Sequence, residues 1–332
     1  MDSTFIESSL TKEDVPFEIP LRPQKLEEFV GQDPIKERLS VLIGAAKKRS
    51  DPLGHCLFCG PPGLGKTTLA NILAKTMGTK LVTSSGPVLE KLGDLAGILT
   101  NLQRGDVFFI DEIHRLNRSV EEALYSAMED FVLDLVIDTG PNARSVQLKL
   151  NPFTLIGATT RTGLITSPLR SRFTFSCRLE YYEPEVLEKI VIRTGRLLNI
   201  DIDSKSAKEI AQRSRGTPRI ANNLSRWVRD YVQMKCGDQV SHKVVCNALD
   251  MLAVDEKGLD EMDKKILHVL IDHYDGGPVG VNTLAVAVGE EPFTLEEVYE
   301  PFLILQGFIK RTARGREATP LAYKHLGKKF QG

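Results

Sequence analysis

The chain has few of the residues that mark secreted or metal-stapled proteins. Its 332 residues include only five cysteines and one tryptophan. A small, odd number of cysteines excludes a disulfide framework as the basis of the fold. Cys56 and Cys59 form a CxxC, but we find no second Cys/His pair that complements it at ligand spacing. We therefore interpret both as core residues of a buried strand and not as a zinc or redox motif.

Long apolar runs and an excess of charge are also missing. No apolar stretch approaches the roughly 20 residues of a membrane helix. The start, MDSTFIESSLTKEDVPFEIP, lacks the basic and apolar regions of a signal peptide, so we predict a cytoplasmic protein that does not bind membranes. The net charge of -1 gives no global sign of nucleic-acid binding, but residues 307–332 hold seven Lys/Arg against one acid. A basic patch is therefore predicted at the C-terminal end.

A glycine-rich loop, CGPPGLGKTT at residues 59–68, lies between an apolar run, HCLFC, and a helix-forming segment, LANILAK. It fits the pattern G-x-x-x-x-G-K-[ST] in the expected strand–loop–helix context. Its glycines turn backbone N–H groups inward, and the start of the next helix adds partial positive charge. We predict that the loop binds a nucleoside triphosphate, with Lys66 on the β- and γ-phosphates and the Thr67 hydroxyl on Mg²⁺.

Two further apolar strands end in polar residues that suit this ligand. VFFIDE, residues 107–112, ends in Asp111 and Glu112. Parallel strands bind ligands at their carboxyl ends, so we predict that Asp111 holds Mg²⁺ and that Glu112 polarises the attacking water. The segment FTLIGATT ends in Thr159 and Thr160, and either hydroxyl is a candidate for the γ-phosphate or the water.

The next segment, SPLRSRF, holds Arg170 and Arg172. An arginine that reaches the γ-phosphate of a neighbouring subunit stabilises transition-state charge and accelerates hydrolysis by about 10³–10⁵. The pattern is equally compatible with solvated surface arginines.

The order of these motifs, followed by GTPR at residues 216–219, resembles the AAA+ ATPases. Longer strings resemble the RuvB family, the bacterial motors that drive branch migration of Holliday junctions: LRPQKLEEFVGQ, GPPGLGKTTLA, SSGPVLEKLGDL, FIDEIHRL, LIGATTR, RGTPRIANN and GGPVG. The resemblance runs from about Leu21 to about Thr319. It implies an ATP hydrolase and DNA helicase, with ATP and Mg²⁺ as ligands, in homologous recombination, DNA repair and the SOS response to DNA damage.

The resemblance also implies site residues at the matching positions. These are Leu21, Arg22 and Tyr182 around adenine; Gly63, Lys66, Thr67 and Thr68 in the phosphate loop; Glu129, Asp130 and Phe131 in an EDx segment near the nucleotide; Arg172, with Arg170 as the alternative, as a finger supplied in trans; and Arg219 as a lid sensor of the γ-phosphate. A finger in trans implies a site that is completed between subunits, and the resemblance implies a homo-hexameric ring. The implied partners are double-stranded DNA at Holliday junctions regardless of sequence, a RuvA-type junction-binding protein and a RuvC-type resolvase.

The segment patterns predict three domains. Residues 1–182 alternate strand and helix, as in a doubly wound α/β P-loop AAA+ domain. Residues 183–254 form a small all-helical lid, in which Trp227 is a core residue. Residues 255–332 form a winged-helix DNA-binding domain.

An insertion at about residues 133–150, LDLVIDTGPNARSVQLKL, predicts a hairpin. The resemblance implies that Val146 and Leu148 dock the RuvA-type partner. Packing of this arm on the domain's own core is the alternative.

In the winged helix, TLEEVYEPFLILQG is the predicted third helix, with Thr294 and Glu297 at capping-box spacing. FIKRT and EATPLA are the predicted wing strands, joined by the tip ARGR. The third helix is acidic, so we predict that Arg311, Arg314 and Arg316 of the wing contact DNA phosphates without reading sequence. Pro292 stands where the family commonly has a basic residue, so one expected DNA contact is missing.

Two other functions compete with the motor. A clamp loader or replication initiator uses the same ATPase but binds duplex DNA without processive movement. A nucleotide-gated switch hydrolyses little, and Glu112 together with the SPLRSRF arginines argues against it.

Overall fold

The computed structural model describes residues 21–136, 145–237 and 240–330. Their contacts cluster into two compact units, which divide in sequence between Tyr182 and Glu183. The predicted turn of the hairpin and the first 20 residues of the chain lie outside the described residues.

The first unit is a doubly wound α/β domain. Its helices are α1 (Asp33–Arg49), α2 (Lys66–Met77), α3 (Leu92–Leu99), α4 (Arg118–Glu129) and α5 (Ser167–Ser171), and its strands are β1 (Cys56–Cys59), β2 (Leu81–Ser85), β3 (Val107–Asp111), β4 (Val132–Val136), β5 (Ser145–Lys149), β6 (Thr154–Thr159) and β7 (Phe175–Arg178). Five strands pair in parallel in the order β2-β3-β6-β1-β7. Because β6 lies between β3 and β1, the carboxyl ends of these three strands are adjacent.

The central strands form the core of this unit. Every residue of β1 and β6 is buried, which is typical of parallel strands covered by helices on both faces. Phe58 and Phe108 are fully buried. Cys56 and Cys59 are free, buried thiols, and burial together with the neighbouring Cys177 raises the pKa of Cys56 to about 12. The interpretation of the CxxC as a pair of core residues is confirmed.

The predicted hairpin is present as β4 and β5, which pair antiparallel with Leu133 opposite Leu148. Leu150 is buried, and Leu148 is half-buried against the main core of the unit. Val146 is 38% exposed. Packing on the domain's own core therefore accounts for Leu148, whereas Val146 remains on the surface.

The second unit contains the lid helices and the winged helix. Its helices are α6 (Pro184–Leu197), α7 (Ser204–Arg213), α8 (Pro218–Lys235), α9 (His242–Met251), α10 (Glu261–His268), α11 (Val281–Val288), α12 (Pro292–Thr294), α13 (Glu300–Leu305) and α14 (Pro320–His325), and its strands are β8 (Ile309–Thr312) and β9 (Gly315–Ala318). Trp227 is half-buried in the lid, and its indole N–H donates to the carbonyl of Ala248 at 2.7 Å. This bond gives Trp227 a structural role.

The third helix of the winged helix differs from the prediction. It begins at Pro292, and Thr294 already has helical dihedrals (φ -63°, ψ -42°), so the predicted Thr294–Glu297 capping box is wrong. Proline is favoured in the first turn of a helix because no backbone N–H is needed there. A π-helical turn, Leu295–Tyr299, then joins α12 to α13. Pro301 explains this irregularity, because it offers no N–H to the carbonyl four residues earlier.

The second wing strand begins and ends earlier than predicted. β8 and β9 pair antiparallel, with Arg311 opposite Arg316. An added Cβ at Gly315, the first residue of β9, would lie 2.3 Å from the carbonyl oxygen of Val279. The second predicted strand, EATPLA, is therefore displaced to GREA, and the PLA segment belongs to α14.

Among the described residues, none of the helices combines the length and apolarity needed to cross a bilayer.

Candidate functional site

The glycine-rich loop joins β1 to α2 and depends on two glycines for its path. Gly60 has φ 132°, and an added Cβ would lie 2.5 Å from the carbonyl oxygen of Leu179. Gly65 has φ 99°, and its Cβ would lie 3.0 Å from the ring of Phe29. Only glycine fits both the backbone conformation and the space at these positions. The loop therefore leads directly into the start of α2, where the helix N-terminus carries partial positive charge.

Lys66 places a positive charge inside this loop. Its side chain is buried, and Nζ donates to the carbonyl oxygens of Gly60 at 2.8 Å and Pro61 at 2.9 Å. Thr67 and Thr68 follow in the first turn of α2, and Gly63 lies in the loop with φ 78°. A buried ammonium beside helix-terminal N–H groups fits the phosphates of a nucleotide.

The carboxylates predicted from the second motif lie at the same edge of the sheet. Asp111 is the last residue of β3, and its Oδ1 accepts from the backbone N–H of Glu112 at 3.0 Å. β3 pairs directly with β6, so Asp111 lies at the end of the strand next to the one that ends with Thr159. The hydroxyl of Thr67 and the carboxylate of Asp111 are hard oxygen ligands of the kind that Mg²⁺ prefers, so this donor set fits ATP with Mg²⁺.

Glu112 is held by hydrogen bonds from two sides. Its backbone has φ 46°, and its Oε2 accepts from the Thr160 hydroxyl at 3.0 Å and lies 3.1 Å from His114 Nδ1. Burial raises the pKa of this carboxyl, but the hydrogen bonds from His114 and Thr160 outweigh burial and leave the pKa below its ordinary value. Glu112 is therefore ionised at neutral pH, as a residue that polarises water must be.

The two threonines at the end of the third strand have different positions. Thr159 is fully buried, and its hydroxyl lies 2.9 Å from His114 Nδ1 and accepts from the Arg161 backbone N–H at 3.0 Å. Thr160 contacts Glu112 directly. Sequence reasoning missed His114. The signal was its place two residues after Glu112, although only the folded chain shows that it turns back towards β6.

The residues predicted to enclose adenine lie in two segments beside the loop. Leu21 and Tyr182 are buried and Arg22 is half-buried. Burial raises the pKa of Tyr182, which is hydrogen-bonded to Gln32. The same Gln32 donates from Nε2 to the carbonyl of Glu180 at 2.7 Å. Phe29 follows Leu21 and Arg22 in the chain, and Leu179 precedes Tyr182. Because an added Cβ at Gly65 would meet Phe29 and one at Gly60 would meet Leu179, both segments lie against the glycine-rich loop.

The two candidate finger arginines differ in their contacts and in their exposure. The guanidinium of Arg172 donates to the Glu129 carboxylate at 2.9 Å and to the Pro168 carbonyl at 2.7 Å, and it lies 4.4 Å above the ring of Tyr125. Arg170 is exposed. The structure thus gives Glu129 a physical role that the sequence did not, because it holds Arg172.

The other residues of the EDx segment have local roles. Asp130 is exposed at the end of α4. Phe131 has φ 53°, and its ring packs edge-on against Phe153 with centroids 5.9 Å apart.

The lid residue Arg219 lies in the second unit. It is half-buried in the first turn of α8, after the N-cap Thr217 and Pro218. The phosphate loop belongs to the first unit.

The wing arginines differ sharply in exposure. Arg314 is exposed at the two-residue tip between β8 and β9. Arg311 is 52% exposed and pairs with Glu296 at 2.6 Å and with Glu300 at 3.1 Å. Arg316 is buried and donates to both carboxylates, at 2.7 Å to Glu296. The prediction that Arg316 contacts a phosphate conflicts with this burial, because its charge is already matched inside the domain.

Three family models match consecutive parts of the chain. Residues 21–179 match the Holliday junction DNA helicase RuvB P-loop domain, residues 182–255 the RuvB AAA lid domain, and residues 256–327 the RuvB C-terminal winged helix domain.

Curated relatives and solved structures agree with these matches. The Holliday junction branch migration complex subunit RuvB of Protochlamydia amoebophila is 67% identical over 326 residues, which is 98% of each chain. The corresponding subunit of Chlamydia pneumoniae is 58% identical over 95% of this chain and 93% of its own. The Thermotoga maritima RuvB Holliday junction branch migration motor superposes with a TM-score of 0.84 at 50% identity, over 93% of this chain and 99% of that one.

Proposed function

Because this chain belongs to the RuvB family, we propose that it hydrolyses ATP to drive branch migration of Holliday junctions. The observation that carries the proposal is the convergence of Lys66, Asp111 and Glu112 at one edge of the sheet, within a chain that also has a winged helix. Work on DNA implies the cytoplasm as its compartment.

The hydrolysis step uses residues from three strand ends. Mg²⁺, if held by this donor set, would neutralise the negative charge that develops on the phosphates of bound ATP. Lys66 binds the same phosphates, and Thr67 and Asp111 are the residues that hold the ion. Glu112 orients the attacking water and accepts its proton, while Thr160 and His114 fix the direction of the Glu112 carboxylate.

The catalytic site is completed by a neighbouring subunit in a homo-hexameric ring. Arg172 is the finger that enters the neighbour's site, and Glu129 and Tyr125 hold it in place until it does so. Arg219 of the lid senses the γ-phosphate in its own subunit. Leu21, Arg22 and Tyr182 enclose adenine.

Movement of the lid is passed to the DNA through the winged helix. The lid helices and the winged helix belong to one compact unit, which supports transfer of motion between them. The wing binds DNA phosphates through Arg314 and Arg311, and Arg316 connects the wing to α13 by its hydrogen bond to Glu300. Phosphate contacts do not read sequence, as a motor that passes any sequence requires.

The hairpin provides a docking surface for a RuvA-type junction-binding protein. Exposed Val146 and the exposed edge of Leu148 form its apolar part. A RuvC-type resolvase then acts on the junction that this assembly moves.

The test is ATP-dependent dissociation of a synthetic four-way DNA junction, with and without a RuvA-type partner. A linear duplex and a non-hydrolysable ATP analogue are the controls. Junction dissociation that needs both hydrolysis and the partner supports the motor. ATP turnover and duplex binding without junction movement would instead identify a clamp loader or replication initiator, and slow turnover that ignores DNA would identify a switch.

A further inference from the structure

Three potential metal ligands meet on the lid, and none of them has been assigned a role above. Glu209 lies on α7, and His242 and Cys246 lie one turn apart on α9. One ligand atom from each residue lies within 4.8 Å of the others, and all three side chains are half-buried. The sequence alone does not show this cluster, because Glu209 lies on a different helix from His242 and Cys246.

The separations between these atoms suit a tetrahedral metal. His242 Nε2 lies 3.4 Å from Glu209 Oε2 and 3.9 Å from Cys246 Sγ. In a tetrahedral zinc site, metal–ligand bonds of about 2.0–2.3 Å place neighbouring ligand atoms about 3.3–3.6 Å apart. The imidazole and carboxylate are therefore already at ligand spacing, and the sulfur lies a few tenths of an ångström too far from the imidazole.

Arg213 orients the Glu209 carboxylate and contacts only one of its two oxygens. Its Nε and Nη2 both contact Glu209 Oε1, at 2.9 Å and 2.8 Å, which leaves Oε2 turned towards His242. The other end of the guanidinium is held by Asp250 at 2.9 Å and by the Val254 carbonyl at 2.6 Å. Outer partners of this kind fix metal-binding side chains in the orientation that coordination needs.

The local charge also suits a divalent cation. Glu209, Arg213, Asp250 and Lys205 are charged groups that act on Cys246. The Glu209 carboxylate and a Cys246 thiolate together carry two negative charges, which a divalent ion neutralises.

From these distances and charges we infer that the lid binds a thiophilic divalent cation, Zn²⁺ or a chemical relative, through Glu209, His242 and Cys246. Nitrogen and sulfur ligands favour Zn²⁺ over Mg²⁺, so the ATP-bound Mg²⁺ does not compete for this site. On binding, the Cys246 thiol releases its proton to solvent, and water completes the fourth position. The ion ties α7 to α9 and so stiffens the lid that carries Arg219.

The test is a Co²⁺ titration of the reduced, metal-stripped full chain. We expect a thiolate-to-cobalt charge-transfer band together with the visible absorption of tetrahedral Co²⁺, and both should disappear when Zn²⁺ is added. Cys246→Ser should abolish the charge-transfer band, and His242→Ala should weaken binding at least tenfold. Cys236→Ser is the matched control, because Cys236 is the other partly exposed thiol of the chain, and it should bind like the wild type.

Thermal unfolding with and without Zn²⁺ gives an independent measurement. Zn²⁺ should raise the melting temperature of the wild type and of Cys236→Ser, but not that of Cys246→Ser. Absence of the charge-transfer band in the wild type would overturn the inference. So would an equal band in Cys246→Ser, which would identify an adventitious surface ion.

Discussion

Arg215, in the turn before lid helix α8, lies 3.0 Å from the carboxylate of Asp263 in the winged helix. The side chain of Arg215 is 4% exposed and that of Asp263 is 0% exposed. Asp260 lies 3.6 Å from the same guanidinium, which also covers the ring of Phe302 at 4.1 Å. A buried ion pair thus joins the segment that carries Arg219 to the domain that binds DNA.

Replacement of Arg215 by Met should destabilise the second unit. The change leaves the Asp260 and Asp263 carboxyls buried without their partner, and removing one partner of a buried pair costs about 3–5 kcal/mol. Burial already raises the pKa of Asp263 to about 8, so proton uptake by this carboxyl reduces the cost. We expect a lower denaturation midpoint, and junction dissociation should fall more than ATP turnover does, because the lid no longer holds the winged helix. Denaturant unfolding and the junction assay measure the two effects.

The double variant Arg215→Met/Asp263→Asn distinguishes the ion pair from simple loss of packing. It removes one of the two buried carboxyl groups, while the amide that replaces the Asp263 carboxyl still offers an oxygen to the backbone N–H of Asp260. We expect the double variant to be more stable than the sum of the single changes predicts. Strict additivity would show that the pair contributes nothing.

Glu112→Gln should retain ATP binding and lose hydrolysis by about 10²–10⁴-fold, because an amide cannot accept the proton of the attacking water. Nucleotide binding is measured by fluorescence and turnover by phosphate release. Unchanged turnover would remove Glu112 from the mechanism.

Thr160→Val tests the orientation of Glu112 separately. The change removes a hydroxyl that donates to the carboxylate at 3.0 Å, so turnover should fall roughly tenfold, the effect of losing one hydrogen bond to a charged group. Hydrogen bonds to the ionised form lower a carboxyl pKa, so their loss should move the acid limb of the pH–rate profile upwards. A slower enzyme with an unmoved acid limb would indicate a structural effect only.

The sequence predicted the positions of the candidate site residues at the strand ends better than the contacts of those residues. Lys66, Asp111 and Glu112 could be predicted because each belongs to a short pattern at a strand end, and parallel strands bring such ends together. His114 and Thr160 required the knowledge that β3 and β6 are neighbours, with Phe109 opposite Ile156. Chain order alone does not fix strand order.

The burial of Arg215 and Arg316 could not be predicted from the sequence. Arg215 and Arg316 look like surface residues in sequence, because their counter-charges lie 48 and 16 residues away. The start of the third helix was predicted at the wrong residue for a local reason. Pro292 at the first helical position is as strong a start signal as the Thr294 hydroxyl, and the fold uses the proline.

Arg314→Ala should weaken duplex DNA binding equally for all sequences and reduce the salt dependence of binding by about one counterion. The side chain is exposed at the wing tip, so the melting temperature should not change. Fluorescence anisotropy at several salt concentrations measures the slope.

Arg316→Met is the matched comparison within the wing. Its guanidinium is buried against Glu300, so the change should lower the melting temperature. If Arg316→Met keeps its stability and reduces the salt slope as Arg314→Ala does, then Arg316 contacts phosphate after all.

Arg172→Ala should preserve ATP binding and abolish turnover, whereas Arg170→Ala should retain most activity. Mixtures of inactive Arg172→Ala and Glu112→Gln subunits should regain part of the turnover, because some interfaces then combine an intact finger with an intact base. Titration of one variant into the other measures this. Absence of rescue would contradict a finger in trans, and the reverse pattern would assign the finger to Arg170.

The stability of the first unit should fall as the pH drops below about 6.5, and His55 is the cause. This side chain is buried, its Nδ1 accepts from the Leu155 backbone N–H at 2.8 Å, and its Nε2 lies 3.0 Å from the Met128 carbonyl. Burial lowers the pKa of His55, although the bond to Met128 opposes the shift. The unfolded chain therefore binds a proton more readily than the folded one, so stability is full above the unfolded pKa and is lost as pH falls through the folded pKa.

Hydrogen exchange of peptides that contain β1 and β6 measures this loss between pH 7 and pH 5. One proton contributes a slope of at most about 1.4 kcal/mol per pH unit. His55→Gln should be less stable at neutral pH but should show a flatter pH dependence, because glutamine does not titrate. The exposed His273→Gln is the control and should keep the wild-type slope in these strands. An unchanged slope in His55→Gln would mean that another group, such as a carboxylate, drives the acid sensitivity of the sheet.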